Sequence, residues 1–522
     1  MRFLRFDSDW RCPKIWALIG VLCFSTWMMF PGAAFARSVA QSTAIAQSVQ
    51  PYLDRVASEV TEFTLDNGMK FIVLERHEAP VVSFMLYANV GAANEVDGKT
   101  GLAHYLEHLA FKGTTRIGTS DYAAEKQVFA QLDQVFANLI AAEKQGDTGQ
   151  VEVLRSQFET LRKQAASYVE QNKFSQIINQ AGGRGLNATT SADATRYFYS
   201  LPSNKLELWM SLESERFLDP VFREFYEEKE VILEERRMRV DNSPIGQMIE
   251  AFLETAYDQH PYRRPVIGYE ADLRDATRAD IAAFFETYYG PNNLIAAVVG
   301  DVDPQQVEQL ADIYFGRYQG RAEAPPEVEA IEPEQTEPKY FELTLTSQPW
   351  YLEGYHRPGI NHPDSVVYTM IDGILTGGRT SRLYKSLVES QIALDMGSAN
   401  GFPGDRYPNV MLLYALTAPG YMPDDVAEVI EAELTQLKQT LVSPEELDRV
   451  KTQVRAALLR SLDSNSGMAS LLSEYEAKTG SWRNVFKELE AIEAVTAEDV
   501  QRVAQSLFQL NNRTVGKLLS ES

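Results

Sequence analysis

Residues 101–113 read Gly101-Leu-Ala-His104-Tyr-Leu-Glu107-His108-Leu-Ala-Phe-Lys-Gly113, between strand-like sequence and Gly/Thr-rich turns. The Leu and Ala content suits a helix. At about 100° per residue, His108 falls about 40° to one side of His104 and Glu107 about 60° to the other. Two imidazoles and a carboxylate then share one face, so both His nitrogens reach one Zn²⁺ ion while the Glu points at a water. H-x-x-E-H is a zinc-peptidase order, and two of the chain's six His fall in this single turn. A surface helix that happens to carry His, Glu and His is the alternative that these five residues alone leave open.

A catalytic zinc takes a third protein ligand. The two cysteines, Cys12 and Cys23, both lie near the N-terminus, and His77, His260, His356 and His362 are each isolated in the sequence, so a carboxylate must serve. The richest source is Val221–Val240, with acids at positions 224, 227, 228, 230, 234 and 235. Glu235 has Val231 and Ile232 one turn before it and Met238 one turn after, whereas Glu234 shares its face with Glu227, Glu230 and Arg237. Glu235 is therefore the better-buried candidate. Glu228, two turns back on the same stripe, is placed to orient a His or the site water.

The N-terminus carries Arg2, Arg5, Arg11 and Lys14, then the apolar run Ile15–Phe30, then Ala34-Phe35-Ala36. That is the order of a secretory signal peptide, removed after Ala36. An uncleaved membrane anchor is the alternative, although the run is shorter than the roughly 20 residues a bilayer wants. Cleavage removes both cysteines, and with them any disulfide framework. It also removes four basic and two acidic groups, taking the formal net charge from −24 to −26. So acidic a surface repels a phosphate backbone and excludes nucleic acid as a partner.

At 522 residues the chain is too long for one core, since single cores stop growing at about 250–300 residues. Alternating and apolar runs at Glu62–Leu65, Phe71–Leu74 and Val81–Tyr87, with a turn at Asp66-Asn67-Gly68, open a strand-rich domain. From Tyr122 the apolar spacing becomes helical, breaks at Gly146-Asp147-Thr148-Gly149 and resumes, predicting a helical hairpin over about 121–173. Arg321–Pro338 holds six Glu and four Pro and is expected to run as a solvated connector. Either side of it lies a faint repeat. Leu273, Thr277, Asp280, Ile281 and Asn292-Asn293 recur as Ile492, Thr496, Asp499, Val500 and Asn511-Asn512. Each Thr is placed to cap a helix that leads into a strand, and two halves on one plan is the economical reading.

The sequence resembles the pitrilysin/insulinase (inverzincin) zinc peptidases, in particular their processing-peptidase-like branch. The resemblance rests on His104-x-x-Glu107-His108 with Phe111-Lys112-Gly113-Thr114, on Gly185-Leu-Asn187-Ala188-Thr-Thr-Ser191 with Thr195 and Tyr197, and on Glu228…Val231-Ile-Leu-x-Glu235. His260-Pro261-Tyr262, Pro265, Gly268 and Gly300-Asp301-Val302 add to it. It implies an α+β fold of two similar domains, each a mainly antiparallel sheet with helices packed on it, closing as a clamshell. It also implies one zinc on His104, His108 and Glu235, with Glu107 as general base and Glu228 as auxiliary acid. Asn187 and Ala188 are implied to lie on an edge strand that pairs with the peptide substrate's backbone. The expected domains are a leader 1–36, an N-terminal segment 37–57, a catalytic domain 58–320 with the hairpin as an insertion, the connector 321–338 and a second, metal-free domain 339–522.

Two departures stand out. From His108 to Glu235 there are 127 positions, more than the family commonly has, and the surplus corresponds to the hairpin. The family's second half also usually supplies an Arg and a Tyr that hold the substrate carbonyl and the developing oxyanion. Here Gly377-Gly378-Arg379-Thr380-Ser381-Arg382-Leu383 is kept, but the matching later positions read Val388 and Asp395, unless a shift of register brings in Arg382 or Tyr384. The expectation is an exported zinc metalloendopeptidase acting on peptides or unfolded polypeptide. A related zinc-less subunit, or a second copy, would complete its site. A non-catalytic scaffold of the same fold is the alternative, and membrane attachment follows only if the leader stays.

Overall fold

The computed structural model describes residues 53–320 and 323–521. The predicted leader and both cysteines lie outside them. Strands β1 (Val60–Thr64) and β2 (Lys70–Glu75) pair antiparallel across the expected turn. With β3 (Val81–Ala88), β4 (Arg184–Thr190), β5 (Thr195–Pro202) and β6 (Leu294–Gly300) they form a six-stranded sheet in the order β1-β2-β6-β3-β5-β4. β6 slots between β2 and β3, parallel to the first and antiparallel to the second. It is buried along nearly its whole length, which is why Leu-Ile-Ala-Ala-Val-Val runs apolar rather than alternating.

The second half repeats this plan. Strands β7 (Lys339–Leu345), β8 (Trp350–Arg357), β9 (Ala393–Phe402), β10 (Asn409–Thr417) and β11 (Arg513–Ser520) form a sheet in the order β7-β11-β8-β10-β9. Setting β1 aside, the two orders coincide strand for strand, and each sheet has one parallel pair, β2 with β6 and β7 with β11. The faint repeat marks the end of each copy. Thr277 and Thr496 both cap helices through reciprocal boxes with Asp280 and Asp499, and the chain then enters β6 and β11.

Each half covers the other's sheet. The helix Asn465–Thr479 belongs to the second half yet lies on β3 and β6, with Met468 and Leu472 fully buried. The helix Pro244–Ala256 belongs to the first half and lies on β7 and β11, where Phe252 packs with Leu352, Val410 and Leu518. Polar ties reinforce the exchange. The Arg76 guanidinium donates to the carbonyls of Leu462 and Asp463 at 2.8 and 2.9 Å. Asp193, buried in the β4–β5 turn, accepts from the Tyr262 hydroxyl and from the N–H groups of Asp405 and Arg406.

The connector is less solvated than its composition suggests. Residues 323–338 form no helix or strand, but the Glu332 carboxylate accepts from the N–H groups of Asp258, Gln259 and His260 at 2.8–3.0 Å. Gln335 is buried and donates to the Arg513 carbonyl. A Glu/Pro-rich run was expected to have nothing to pack with; here three N–H groups just past the end of a distant helix supply the partner.

The expected hairpin consists of Tyr122–Gln145 and Thr148–Ala166, turning at Gly146. Its base is part of the domain core, through Val128, Phe129, Leu132, Phe136, Phe158 and Ala165. Its tip holds only a small cluster of its own, Leu139, Ala142 and Leu154. Replacing residues 139–154 by a short Gly/Ser turn is expected to leave the melting temperature within about 4 °C. Excising all of 121–173 should abolish folding, as circular dichroism would report.

Candidate metal centre

The helix Leu102–Leu109 carries His104, Glu107 and His108, and begins at Gly101 in the left-handed conformation, φ +83°. A side chain at Gly101 would meet the Ile267 carbonyl at 2.6 Å, and one at Gly268 would meet the Gly101 backbone at the same distance. Two backbones thus touch, and only glycine fits either position. Glu95, fully buried, accepts from the N–H groups of Gly101 and Ala103 at 2.8 Å each. It satisfies donors that a helix start leaves without partners, while burial pushes its own carboxyl up to about 8. Glu95→Ala should lower stability by about 1–3 kcal/mol, the desolvation cost of orphaned N–H groups; chemical denaturation would measure it.

Glu235, the expected third ligand, arrives on the helix Phe225–Arg236. Tyr105 stacks on Phe225 with ring centroids 4.8 Å apart and donates its hydroxyl to the Phe225 carbonyl, locking the two helices together. Nitrogens of His104 and His108 and a carboxylate oxygen of Glu235 come within 4.8 Å of one another, the only such group among the described residues. Glu235 Oε2 lies 3.8 Å from His104 Nε2 and 3.6 Å from His108 Nε2. Those separations are too long for hydrogen bonds. They approach the edge, roughly 3.4 Å, of a tetrahedron with metal–ligand bonds of about 2.1 Å. The donor set therefore fits zinc.

Glu235 was expected to be the buried member of its pair because of Val231 and Met238. Its side chain is 15 % exposed and that of Glu234 53 %; of the three apolar neighbours named for it Ile232 is buried, but Val231 and Met238 are themselves exposed, at 49 % and 62 %. The packing that covers Glu235 comes from the facing helix.

Around this trio His108, Glu107, Glu228 and Glu235 each have a polar partner, whereas His104 Nδ1 is buried without one. Glu228 Oε2 accepts from His108 Nδ1 at 3.1 Å, which leaves Nε2 for the ion, and Glu228 Oε1 is 2.5 Å from the Lys112 ammonium. Burial works against its ionisation, but the hydrogen bonds from His108 and Lys112 hold the Glu228 carboxyl below its usual range. Burial likewise works against a proton on His108, yet Glu228, with the charges of Glu107 and Glu235, keeps its pKa above the usual value. His104 is the opposite case. Burial, then the neighbouring His108, lowers it to about 3, so it stands neutral and ready to ligate.

Glu107 is held by the Thr190 hydroxyl, which donates to Oε2 at 2.6 Å. Burial nevertheless raises the Glu107 pKa. Arg239 reaches Glu235 Oε1 at 2.9 Å and leaves Oε2 turned to the imidazoles. Thr190, Arg239, Lys112 and Glu95 were not singled out as site residues from the sequence. The four-residue spacing of Arg239 from Glu235 was a readable signal; the long-range partners were not.

Asn187 and Ala188 lie on β4, the outermost strand of its sheet. In the second half, Val388 lies on the irregular helix Tyr384–Glu389 and Asp395 is exposed on β9. The Arg382 guanidinium is committed to Glu446 through bonds of 3.0 and 2.7 Å.

Residues 70–133 and 159–270 match the family model described as insulinase (peptidase family M16). The chain is 30 % identical over 419 residues to the zinc protease PqqE of Helicobacter pylori, covering 79 % of this chain and 82 % of that protein. The chain belongs to the insulinase family. An uncharacterised zinc protease of Mycobacterium leprae is 25 % identical, with 87 % and 90 % of the two chains covered. The crystal structure of a protease from Helicobacter pylori superposes with a TM-score of 0.75 at 28 % identity, over 88 % of this chain and 99 % of that one. The family match skips 134–158, the distal part of the hairpin. Residues 275–454 match the description "Peptidase M16 inactive domain". In keeping with that, Ser365–Thr376, which follows β8 as Leu102–Leu109 follows β3, carries neither His nor Glu.

Proposed function

We propose that this chain is an exported zinc metalloendopeptidase that hydrolyses peptides or unfolded polypeptide. It holds one zinc on His104, His108 and Glu235 and uses Glu107 as general base. The observation that carries this reading is the convergence of those three ligand atoms, with Glu107 on the same face. When bound, the metal supplies a Lewis acid that polarises the scissile carbonyl and acidifies water. Glu107, braced by Thr190, takes the proton of the attacking water and passes it to the leaving amine. Glu228 keeps the His108 ring oriented and, with Lys112, buffers the charge. The exposed edge of β4 offers backbone N–H and C=O groups to an extended substrate, so the enzyme selects unfolded main chain. Export rests on the leader-like residues 1–36.

The second half offers no evident Arg/Tyr pair for the oxyanion, a loss that costs about 10²–10³ in rate when nothing replaces it. A related subunit or a second copy supplies those donors in this reading. The test is to purify the chain alone, measure its zinc, and identify products from an unfolded polypeptide by mass spectrometry with and without a chelator. Stoichiometric zinc, weak chelator-sensitive cleavage and a large gain on adding the partner are expected. Absence of zinc would favour the scaffold role, and full activity as a monomer would overturn the need for a partner.

Zinc binding should depend on pH through His108. The ring must lose a proton to ligate, and its raised pKa means the proton begins to compete above pH 6.5, the ordinary value for histidine. Zinc affinity, followed by competition with a chromophoric chelator, should weaken as pH falls through that range. In Glu228→Gln the onset should move to lower pH while affinity at neutrality drops about 10–100-fold.

A further inference from the structure

The sheet face opposite the metal carries a cavity of about 890 Å³ between the β4–β5 edge and the helices Pro444–Asp463 and Asn465–Thr479 of the second half. Its charged lining is Arg184, Arg196 and Arg460, with no acidic residue and no Lys. In a chain of net charge −24 this is a marked reversal of sign. Arg196 has Glu474 at 3.6 Å, whereas Arg184 and Arg460 have no ion pair among the described residues and are exposed. Ser464, Ser466 and Gly467, at the N-terminal end of the helix Asn465–Thr479, line the wall beside them, with the Gly467 N–H capped by the Ser464 hydroxyl.

The position of this cavity gives it a role. Along β4, Thr190 bonds Glu107 and Ala188 is buried in the core beneath the sheet. Strand alternation therefore turns Thr189 to the other face, and the register shift between Arg184 and Asn187 brings Arg184 and Gly185 to that face as well, where all three line the cavity. Beside them β5 presents Arg196 opposite Thr189 and Ser200 opposite Arg184. The cavity thus begins one residue from the partner of the catalytic carboxylate. A substrate strand added to β4 sends alternate side chains into it.

We infer that this cavity is a specificity subsite that takes an acidic side chain, Glu or Asp, of the peptide substrate. The inference rests on the peptidase reading and deepens it. It runs against the preference that the acidic exterior as a whole would suggest. The guanidinium groups of Arg184 and Arg460 would bond the substrate carboxylate, and Phe198 would floor its methylene groups.

Binding and turnover separate the two readings. Peptides of one unfolded parent sequence, with Glu, Gln or Lys stepped through each position, would be titrated by fluorescence anisotropy against the full chain carrying Glu107→Gln, and cleaved by the wild type. At one or two positions Glu should bind about 10–100-fold tighter than Lys, with Gln between. Arg460→Glu, and independently Arg184→Glu, should erase or invert that order while leaving affinity for the neutral parent within about threefold. Position-independent binding, or an acid preference untouched by both substitutions, overturns the subsite. The same acid preference in a wild type that holds no zinc and cleaves nothing upholds the subsite and removes the peptidase reading instead.

Discussion

Glu107→Gln is expected to lower turnover by about 10²–10⁴-fold, the usual worth of a positioned general base, while zinc content and melting temperature stay as in the wild type. Glutamine is the same size, and its carbonyl still accepts the Thr190 hydroxyl, so the side chain keeps its place. What it loses is the ability to take a proton. Burial raises the Glu107 pKa, so the wild-type base is stronger than a solvent-exposed carboxylate and is protonated at a correspondingly higher pH. Activity at saturating zinc should fall as pH drops through that raised value, with a residual limb absent from Glu107→Gln. Metal analysis beside a pH–rate profile checks both. Retained turnover in Glu107→Gln would remove Glu107 from the base role.

Arg223→Met is expected to destabilise the protein by about 3–5 kcal/mol, because it leaves a buried carboxylate without its counter-charge. Arg223 and Glu125 are each 0 % exposed and joined by bonds of 2.6 and 2.9 Å. The same guanidinium donates to the carbonyls of Lys112, Ile117 and Thr114, and so holds the loop that follows the helix Leu102–Leu109 against the base of the hairpin. Lys112 in turn contacts Glu228. Loosening the loop should therefore weaken zinc as well as stability. The double variant Arg223→Met/Glu125→Leu removes both charges and should regain much of the stability, but not the loop contacts. Thermal melts with zinc titrations on the single and double variants would separate the two effects.

The features legible in the sequence were those set by local geometry. His104, Glu107 and His108 lie within five residues, so helical pitch alone puts them on one face. The capping boxes at Thr277 and Thr496 are four-residue motifs, and their recurrence exposed the repeat that the two strand orders display. Contacts spanning long stretches of chain were illegible. Nothing near Glu332 announces that it serves three N–H groups more than seventy residues away. Glu235 shows the intermediate case, the more buried residue of its pair but with two of its three named neighbours exposed, because helical periodicity says which residues share a stripe but not what covers it.

The exchanged helices Pro244–Ala256 and Asn465–Thr479 make the two repeats interdependent. Cut within 323–338, the polypeptide would yield two fragments, each with an apolar sheet stripped of its lid and a helix with nowhere to dock. Such fragments should aggregate apart and recover only when co-expressed. Two separate copies of one repeat with this habit would interlock in the same way; here a single backbone ties them together.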